Sequence, residues 1–373
     1  MMTLRSFCVN AFALIVFLSA QAGADDRVRM VAVKGYDPVA LLRGQEVEGD
    51  PNVFVERGRF VYRFRTEENK NMFLKEAADF EIQLGGACGS MGILSGTGNP
   101  NRYFVHKSKI YIFASDGCLR KFQNSPENCL DVAEAKPTGT PEQIRAGRIL
   151  AAQAVEGFGG KSALENVKSL KITTKHNYKS KNGDYIGEMI DSIQFPDQFR
   201  QDQVWKNSTY TDCLSGSDGY RSETSAGKTE QFDMESCEQE YLRRWYHRFP
   251  IVALKEAAGN PEFSALAQGT ERIHGVEAKF LVVHLHGGLT TFAIDPATNR
   301  VIRSSYRGRW SHGNPIGNVV NTYSDFRTIN GVVIPYKVQT TVNGKPVTSP
   351  VVTLETIEIN PNFAPKHFSK PRD

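Results

Sequence analysis

Residues 318–344 read NVVNTYSDFRTINGVVIPYKVQTTVNG. Apolar and polar positions alternate through Asn318–Arg327 and again through Ile334–Val342. That period of two places successive side chains on opposite faces of a strand. Asn330-Gly331 separates the two runs and Asn343-Gly344 closes the second. Asn-Gly between alternating runs is favoured in a tight hairpin, because both residues tolerate the positive φ that the turn requires. An isolated hairpin is marginal in water, so this one has to belong to a larger sheet.

Outward from the hairpin the same pattern recurs. Strands are predicted at Leu170–Tyr178, Tyr185–Gln194, Gln198–Trp205, Tyr220–Thr224, Thr270–His274, Ala278–His286, Leu289–Ile294, Val301–Arg309 and Val351–Ile359. Short Gly, Asn or Pro turns join most of them, so the sheet is an antiparallel meander that must curl or close to bury one face. Helices are available to cover it. Thr140-Pro141-Glu142 supplies a cap and a first-turn proline for a helix to Gly157. Lys161–Val167 forms a second, and Glu238–Phe249 a third that continues through Ile251–Ala258 beyond Pro250.

The N-terminal part differs. Val28–Val33, Phe60–Phe64, Tyr103–Val105 and Lys109–Phe113 are predicted strands, Pro38–Leu42 a short helix, and Thr66 the cap of a helix to Ala78. The small, proline-containing stretch at 131–140 has the composition of a linker. The expected organisation is α+β: a leader at 1–24, a small mixed α/β domain at 25–130, the linker at 131–140 and the sheet domain at 141–373.

The leader is a secretory signal. Arg5 precedes an apolar run from Phe7 to Ala20, and Ala22-Gly23-Ala24 offers small residues for cleavage after Ala24. The run is shorter than the roughly 20 residues a membrane span needs. The mature chain is therefore expected in the periplasm or outside the cell, with no transmembrane segment. Its charge, +4 over 373 residues, is mixed along the chain and gives no footing for nucleic acid. With Cys8 removed, Cys88, Cys118, Cys129, Cys213 and Cys237 remain. Export permits disulfides. Pairing within each domain gives Cys118–Cys129 and Cys213–Cys237 and leaves Cys88 odd, although spacing alone does not fix connectivity.

Two resemblances add to this. The segment from Val28 to Leu130 resembles the exported form of the YHS domain family, through Lys34-Gly35-Tyr36-Asp37-Pro38-Val39-Ala40, the Phe60–Phe64 strand, the helix start at Glu67–Phe73, Gly85-Gly86-Ala87-Cys88-Gly89 and Lys109–Phe113. Relatives associated with heavy-metal pumps carry thiolates where this chain has Ala40, Arg65 and Asn69, so the resemblance brings no metal site with it. The segment from Pro141 to Phe368 resembles the LolA-like fold of outer-membrane lipoprotein carriers. The cues are Phe158-Gly159-Gly160-Lys161, Pro196-Asp197-Gln198-Phe199-Arg200, Ile294-Asp295-Pro296 and Tyr323-Ser324-Asp325-Phe326. That resemblance implies a curved antiparallel β half-barrel sheltering an acyl chain or other apolar ligand under helices. It also implies an envelope protein as a candidate partner.

Candidate chemistry is sparse. Trp205, Tyr241, Trp245 and Phe249 are candidates to line an apolar cavity, the last three spaced by four along one helix; the same stripe fits plain core. Arg243, Arg244 and Arg248 beside it suit either an anionic headgroup or simple solvation, the commoner state of surface arginines. Cys88, on a glycine-flanked turn with His106 and Met91 as companions, fits a soft-metal or redox-responsive thiol, or a small buried hydrophobe, the commoner role of a free cysteine. His284 and His286 stand two apart on a predicted strand and suit either a chelate or two solvent-facing rings. No cofactor is expected. Gly-x-Ser-x-Gly, His-Glu-x-x-His, a phosphate loop and Cys-x-x-Cys are all missing from the sequence, which leaves a non-catalytic binding protein as the expectation.

Overall fold

The computed structural model describes residues 29–178, 184–260, 263–311, 314–348 and 350–371. The leader read at 1–24 lies outside them. The first part of the chain runs β1 (Met30–Val31), α1 (Pro38–Leu42), β2 (Asp50–Arg57), β3 (Phe60–Phe64), α2 (Glu67–Lys75), α3 (Ala77–Phe80), β4 (Asn99–His106), β5 (Lys109–Phe113) and α4 (Asp116–Asn124). β1, β3 and β2 form one small sheet, with β1 parallel to β3, and β4 and β5 pair as a hairpin. Phe60, Tyr62 and Phe64 alternate inward from β3, and Phe64 and Tyr62 meet the Phe73 ring of α2 at 5.2 and 4.8 Å. Asp37 caps α1: its Oδ1 accepts from the Val39 and Ala40 amides at 2.9 and 3.1 Å. Its Oδ2 accepts from the Arg65 amide at 2.7 Å and from Asn69 Nδ2 at 2.8 Å. Arg65 and Asn69 thus serve a buried hydrogen-bonded carboxylate.

Residues 131–140 hold no regular element, yet the stretch is pinned. The Glu134 amide donates to Gly287 O at 2.8 Å, and Glu134 Oε2 accepts from the Leu289 amide at 2.8 Å. Then come α5 (Pro141–Gly157) and α6 (Lys161–Asn166). Thr140 and Gln143 close a capping box on α5, each side chain accepting from the other's amide.

Two seven-stranded antiparallel sheets follow. The first contains β6 (Ser169–Tyr178), β7 (Tyr185–Gln194), β8 (Gln198–Trp205), β9 (Ser208–Ser215), β10 (Asp218–Ser225) and β11 (Lys228–Asp233) as a meander. α7 (Ser236–Tyr246) and α8 (Pro250–Gly259) come next. The second sheet is β12 (Ala265–Ile273), β13 (Val276–Leu285), β14 (Gly288–Ile294), β15 (Val301–Arg309), β16 (Ile316–Ile329), β17 (Val332–Val342) and β18 (Lys345–Pro346). The last strand, β19 (Val351–Ile359), returns to pair with β6 at the edge of the first sheet. The 318–344 stretch forms the β16–β17 hairpin, with Asn330 and Gly331 at φ +48° and +82° in its turn. Inner-face side chains of both sheets and the buried faces of α5, α7 and α8 make one core, which includes Phe199, Leu242, Leu254, Phe292 and Val332.

Several expectations change. The third helix does not run through Pro250: α7 ends at Tyr246 and α8 restarts with Pro250 at its first position. β13 stops at Leu285, so His286 sits in the following turn at φ +47° and does not share a strand face with His284. β9 and β11 were not predicted. All five described cysteines are free thiols, so neither expected disulfide is closed. Cys213 points away from Leu214, the core-facing residue of β9, and packs with Tyr220 and Phe368. Cys237 lies on α7, which packs on the Leu214 side, so β9 stands between the two thiols. Cys129 is buried with its Sγ 3.9 Å from Ser90 Oγ, whereas Cys118 is half-exposed at the start of α4, where its amide donates to Ser115 Oγ.

Candidate functional site

Between the two sheets, beneath the junction of α7 and α8, lies a half-open cavity of about 550 Å3. That volume falls within the roughly 300–1,000 Å3 range of small-molecule sites. The strand period decides what faces it. Ile172, Thr174 and His176 point in from β6, Met189 and Asp191 from β7, and Ile334, Tyr336 and Val338 from β17. Trp245 and Phe249 close the helix side, one turn apart, with ring centroids 5.1 Å from each other. Behind them Tyr246 stacks on Phe199 at 4.7 Å, fixing the end of α7 to the sheet.

Polar side chains share the lining, among them His176, Asp191, Gln201, Arg248, Asn321 and Lys337. Asp191 is buried and its Oδ1 accepts from Gln201 Nε2 at 2.8 Å. Burial pushes its carboxyl up to about 7, against the pull of the Gln201 bond, and nearby Asp202 adds to the rise. The His176 ring, 2.9 Å from Thr174 Oγ1 through Nε2, is held below its usual value by burial. Arg248 brings a cation to the wall. Its guanidinium lies 4.3 Å from the centroid of the Tyr306 ring, and Nη2 donates to Arg307 O at 3.4 Å. The site can therefore enclose an apolar body, accept one hydrogen bond or proton at Asp191, and meet an anionic end group at Arg248.

The four aromatic candidates separate. Trp245 and Phe249 line the cavity. Tyr241 is buried behind it, 5.8 Å from the Arg244 guanidinium and among Asp131, Arg309 and Arg248. Trp205 lies farther along β8, against Tyr178 and Tyr185 at 5.3 and 6.0 Å, in a second and polar cavity of about 420 Å3. The solvated reading of the arginines fails for two of them. Arg244 and Arg248 are only 4% and 5% exposed; Arg244 meets the equally buried Asp131 at 3.6 Å. Arg243 donates to Gly216 O.

Cys88 is fully buried, accepts from the Ala114 amide at 3.3 Å, and has its thiol pushed up by burial, with Cys118 adding to the shift. His106 turns its ring edge toward Phe122 at 5.7 Å. Among the described residues neither belongs to a group of three metal-ligating side chains. A buried thiol kept protonated is a poor nucleophile and a poor metal ligand.

Sequence reasoning missed Asp191, His176 and Met189, although the strands that carry them were predicted. No single-residue signal marks a polar inner face when the outer face is polar too.

No protein-family model matches this chain, and no curated protein matches it. Among solved structures, it is similar to a domain assigned as an outer-membrane lipoprotein-sorting protein from Vibrio parahaemolyticus, at 9% identity over 61% of this chain and 97% of that one, with a TM-score of 0.39. It is similar to a DUF1329 family protein from Desulfovibrio piger, at 12% identity, 61% and 97% coverage and a TM-score of 0.40. A LolA superfamily protein from Nitrosomonas europaea gives 10% identity, 59% and 97% coverage and a TM-score of 0.38. Among the described residues no helix is long and apolar enough to cross a membrane.

Proposed function

We propose that this chain is a non-catalytic binding protein that works in the cell envelope after export and holds a lipid-like or other apolar molecule between its two sheets. The observation that carries this is the cavity of about 550 Å3, lined in large part by aliphatic and aromatic side chains such as Ile172, Met189, Trp245, Phe249, Ile334 and Leu354. Because the cavity is half-open, its apolar lining meets water unless something covers it, and covering apolar surface is favourable. An acyl chain would cover it. Arg248, which has no ion pair with a carboxylate among the described residues, suits a carboxylate or phosphate at the ligand's end. The signal-like residues 1–24 support export, and the mixed N-terminal segment, read as YHS-like, offers a second surface for an envelope partner.

The test uses the mature full-length chain with 1-anilinonaphthalene-8-sulfonate as the probe and palmitate as its competitor. Binding of the probe and its displacement by palmitate are expected, with at least a tenfold loss of affinity in Phe249→Asp and Trp245→Asp. Native mass spectrometry of the protein taken from its own cells should find an apolar adduct. Absence of both probe binding and adduct would overturn the reading.

A further inference from the structure

Outside the cavity, three side chains converge with no hydrogen bond joining them. His247 follows the last turn of α7, Glu256 lies on α8, and His286 stands at the tip of the β13–β14 turn. Their donor atoms all lie within 4.8 Å of one another. The two imidazole centroids are 4.0 Å apart. His247 Nε2 is 3.6 Å from Glu256 Oε2, beyond hydrogen-bond range.

The other nitrogen of His247 settles which way its lone pair points. Nδ1 is 2.7 Å from the carbonyl oxygen of Arg243, one helical turn back. A carbonyl only accepts, so Nδ1 carries the proton and Nε2 presents its lone pair toward Glu256 and His286. Metal-bound histidines are oriented in this way, with the distal N–H anchored on a backbone carbonyl or carboxylate.

We propose that His247, Glu256 and His286 form a binding site for a divalent transition-metal ion of the zinc class, with two imidazole nitrogens and one carboxylate oxygen as ligands. Ligands about 2.0–2.1 Å from a tetrahedral zinc stand roughly 3.4 Å from each other. Small rotations of Glu256, whose side chain is 34% exposed, and of the turn residue His286 close the remaining distance. Imidazole donors select zinc, copper or nickel over calcium and magnesium, which take oxygen ligands. Three ligands leave a fourth position for water. The Arg243 side chain, which donates to Gly216 O, puts a like charge near both histidines. That repulsion and the incomplete ligand set place the expected Kd on the order of 1 µM, weaker than a site of four thiolates.

The ion would join the end of α7, α8 and a turn of the second sheet. The same helix junction carries Trp245 and Phe249 over the cavity, so metal occupancy would stiffen its roof. The site stands whatever the cavity holds.

Chelator-stripped mature protein should take up one Zn2+ per chain in competition with a chromophoric chelator, and its Tm should rise with Zn2+ and not with Mg2+ or Ca2+. Co2+ in place of Zn2+ should give the visible absorption of a low-coordinate site. His286→Asn keeps a residue that tolerates the left-handed turn conformation, and Glu256→Gln changes a partly exposed side chain, so both should fold. Each is expected to weaken Zn2+ at least tenfold and to abolish the Tm rise. Failure to bind at concentrations up to about 100 µM, or binding that both variants retain in full, would overturn the proposal.

Discussion

One sheet covers two cavities, and they are opposites. Along β8 the inward side chains are Phe199, Gln201, Gln203 and Trp205. At the Phe199–Gln201 end the cavity is lined mainly by apolar side chains. At the Gln203–Trp205 end the space is bounded on one side by Arg59, Met91 and Leu94 of the N-terminal segment and crossed by charges. There Arg221 Nε donates to Asp212 Oδ1 at 2.8 Å, Nη2 donates to Leu94 O at 3.2 Å, and Nη1 lies 3.7 Å from Glu238 Oε1. Arg59 reaches the same carboxylate at 3.8 Å. A polar cavity whose groups bond one another is structural: its members hold the N-terminal segment against the sheet. A mainly apolar cavity whose walls do not bond across it can take an apolar ligand. Gln203, donating to Gln201 Oε1 at 3.0 Å, links the two.

The strongest way to break this contrast is at the polar end. Arg221→Ala takes a cation from between two buried carboxylates, Asp212 and Glu238, and leaves Leu94 O without that donor. Removing one partner of a buried ion pair costs about 3–5 kcal/mol. Urea unfolding should show that loss, and limited proteolysis should show the N-terminal segment cut first. Probe affinity at the apolar cavity should change little in whatever fraction stays folded. If the variant were as stable as the parent, the polar cavity would not be the joint described here.

A second prediction sharpens the apolar end through pH. The folded value of Asp191 is about 7 against about 3.8 for an unperturbed carboxyl, with burial the main cause. Between those values the folded state keeps a proton that the unfolded state has lost, so stability falls as pH rises from about 4 to about 7 and is then level. The full penalty above pH 7 approaches about 4 kcal/mol. Asp191→Asn keeps an oxygen for Gln201 and cannot ionise. It should be more stable than the parent by about 2–4 kcal/mol at pH 8 and equal to it near pH 4. A constant difference across that range would refute the assignment.

These two ends were not equally legible in the sequence. The β16–β17 hairpin is visible because apolar and polar residues alternate and Asn330-Gly331 has the chemistry of its turn. β9, with Ser208-Thr209-Tyr210-Thr211-Asp212, has polar residues on both faces, since its inner face meets Arg221 rather than an apolar core. β11 is an exposed edge with Lys228-Thr229-Glu230 and shows no alternation at all. Trp245 and Phe249 could be found from helical spacing; Tyr241 shares that spacing but sits earlier on α7, facing Asp131 and Arg309. Asp191 and His176 could not be found, because an inward polar residue on a strand looks like an outward one until its partner strand is known. The convergence of His247, Glu256 and His286 was hidden for the same reason: it depends on how α7, α8 and a turn meet.

The smallest predicted effect is spectroscopic and separates the cavities directly. The three tryptophans divide between them: Trp245 and Trp310 line the apolar cavity and Trp205 lines the polar one. A brominated stearate quenches only indoles that it touches. Trp205→Phe removes the emitter out of reach, so the quenched fraction should rise while stearate affinity stays within about twofold, a difference below about 0.5 kcal/mol. The change is not free, because Trp205 covers Gly187 so closely that a Cβ there would lie 1.7 Å from the ring. A ring-for-ring replacement with smaller volume should cost about 1 kcal/mol of stability at that spot. Trp245→Phe should do the reverse, lowering the quenched fraction. A quenched fraction that instead fell in Trp205→Phe would put the acyl chain under the polar end of β8, and the division between a filled cavity and a vacant one would have to be redrawn there.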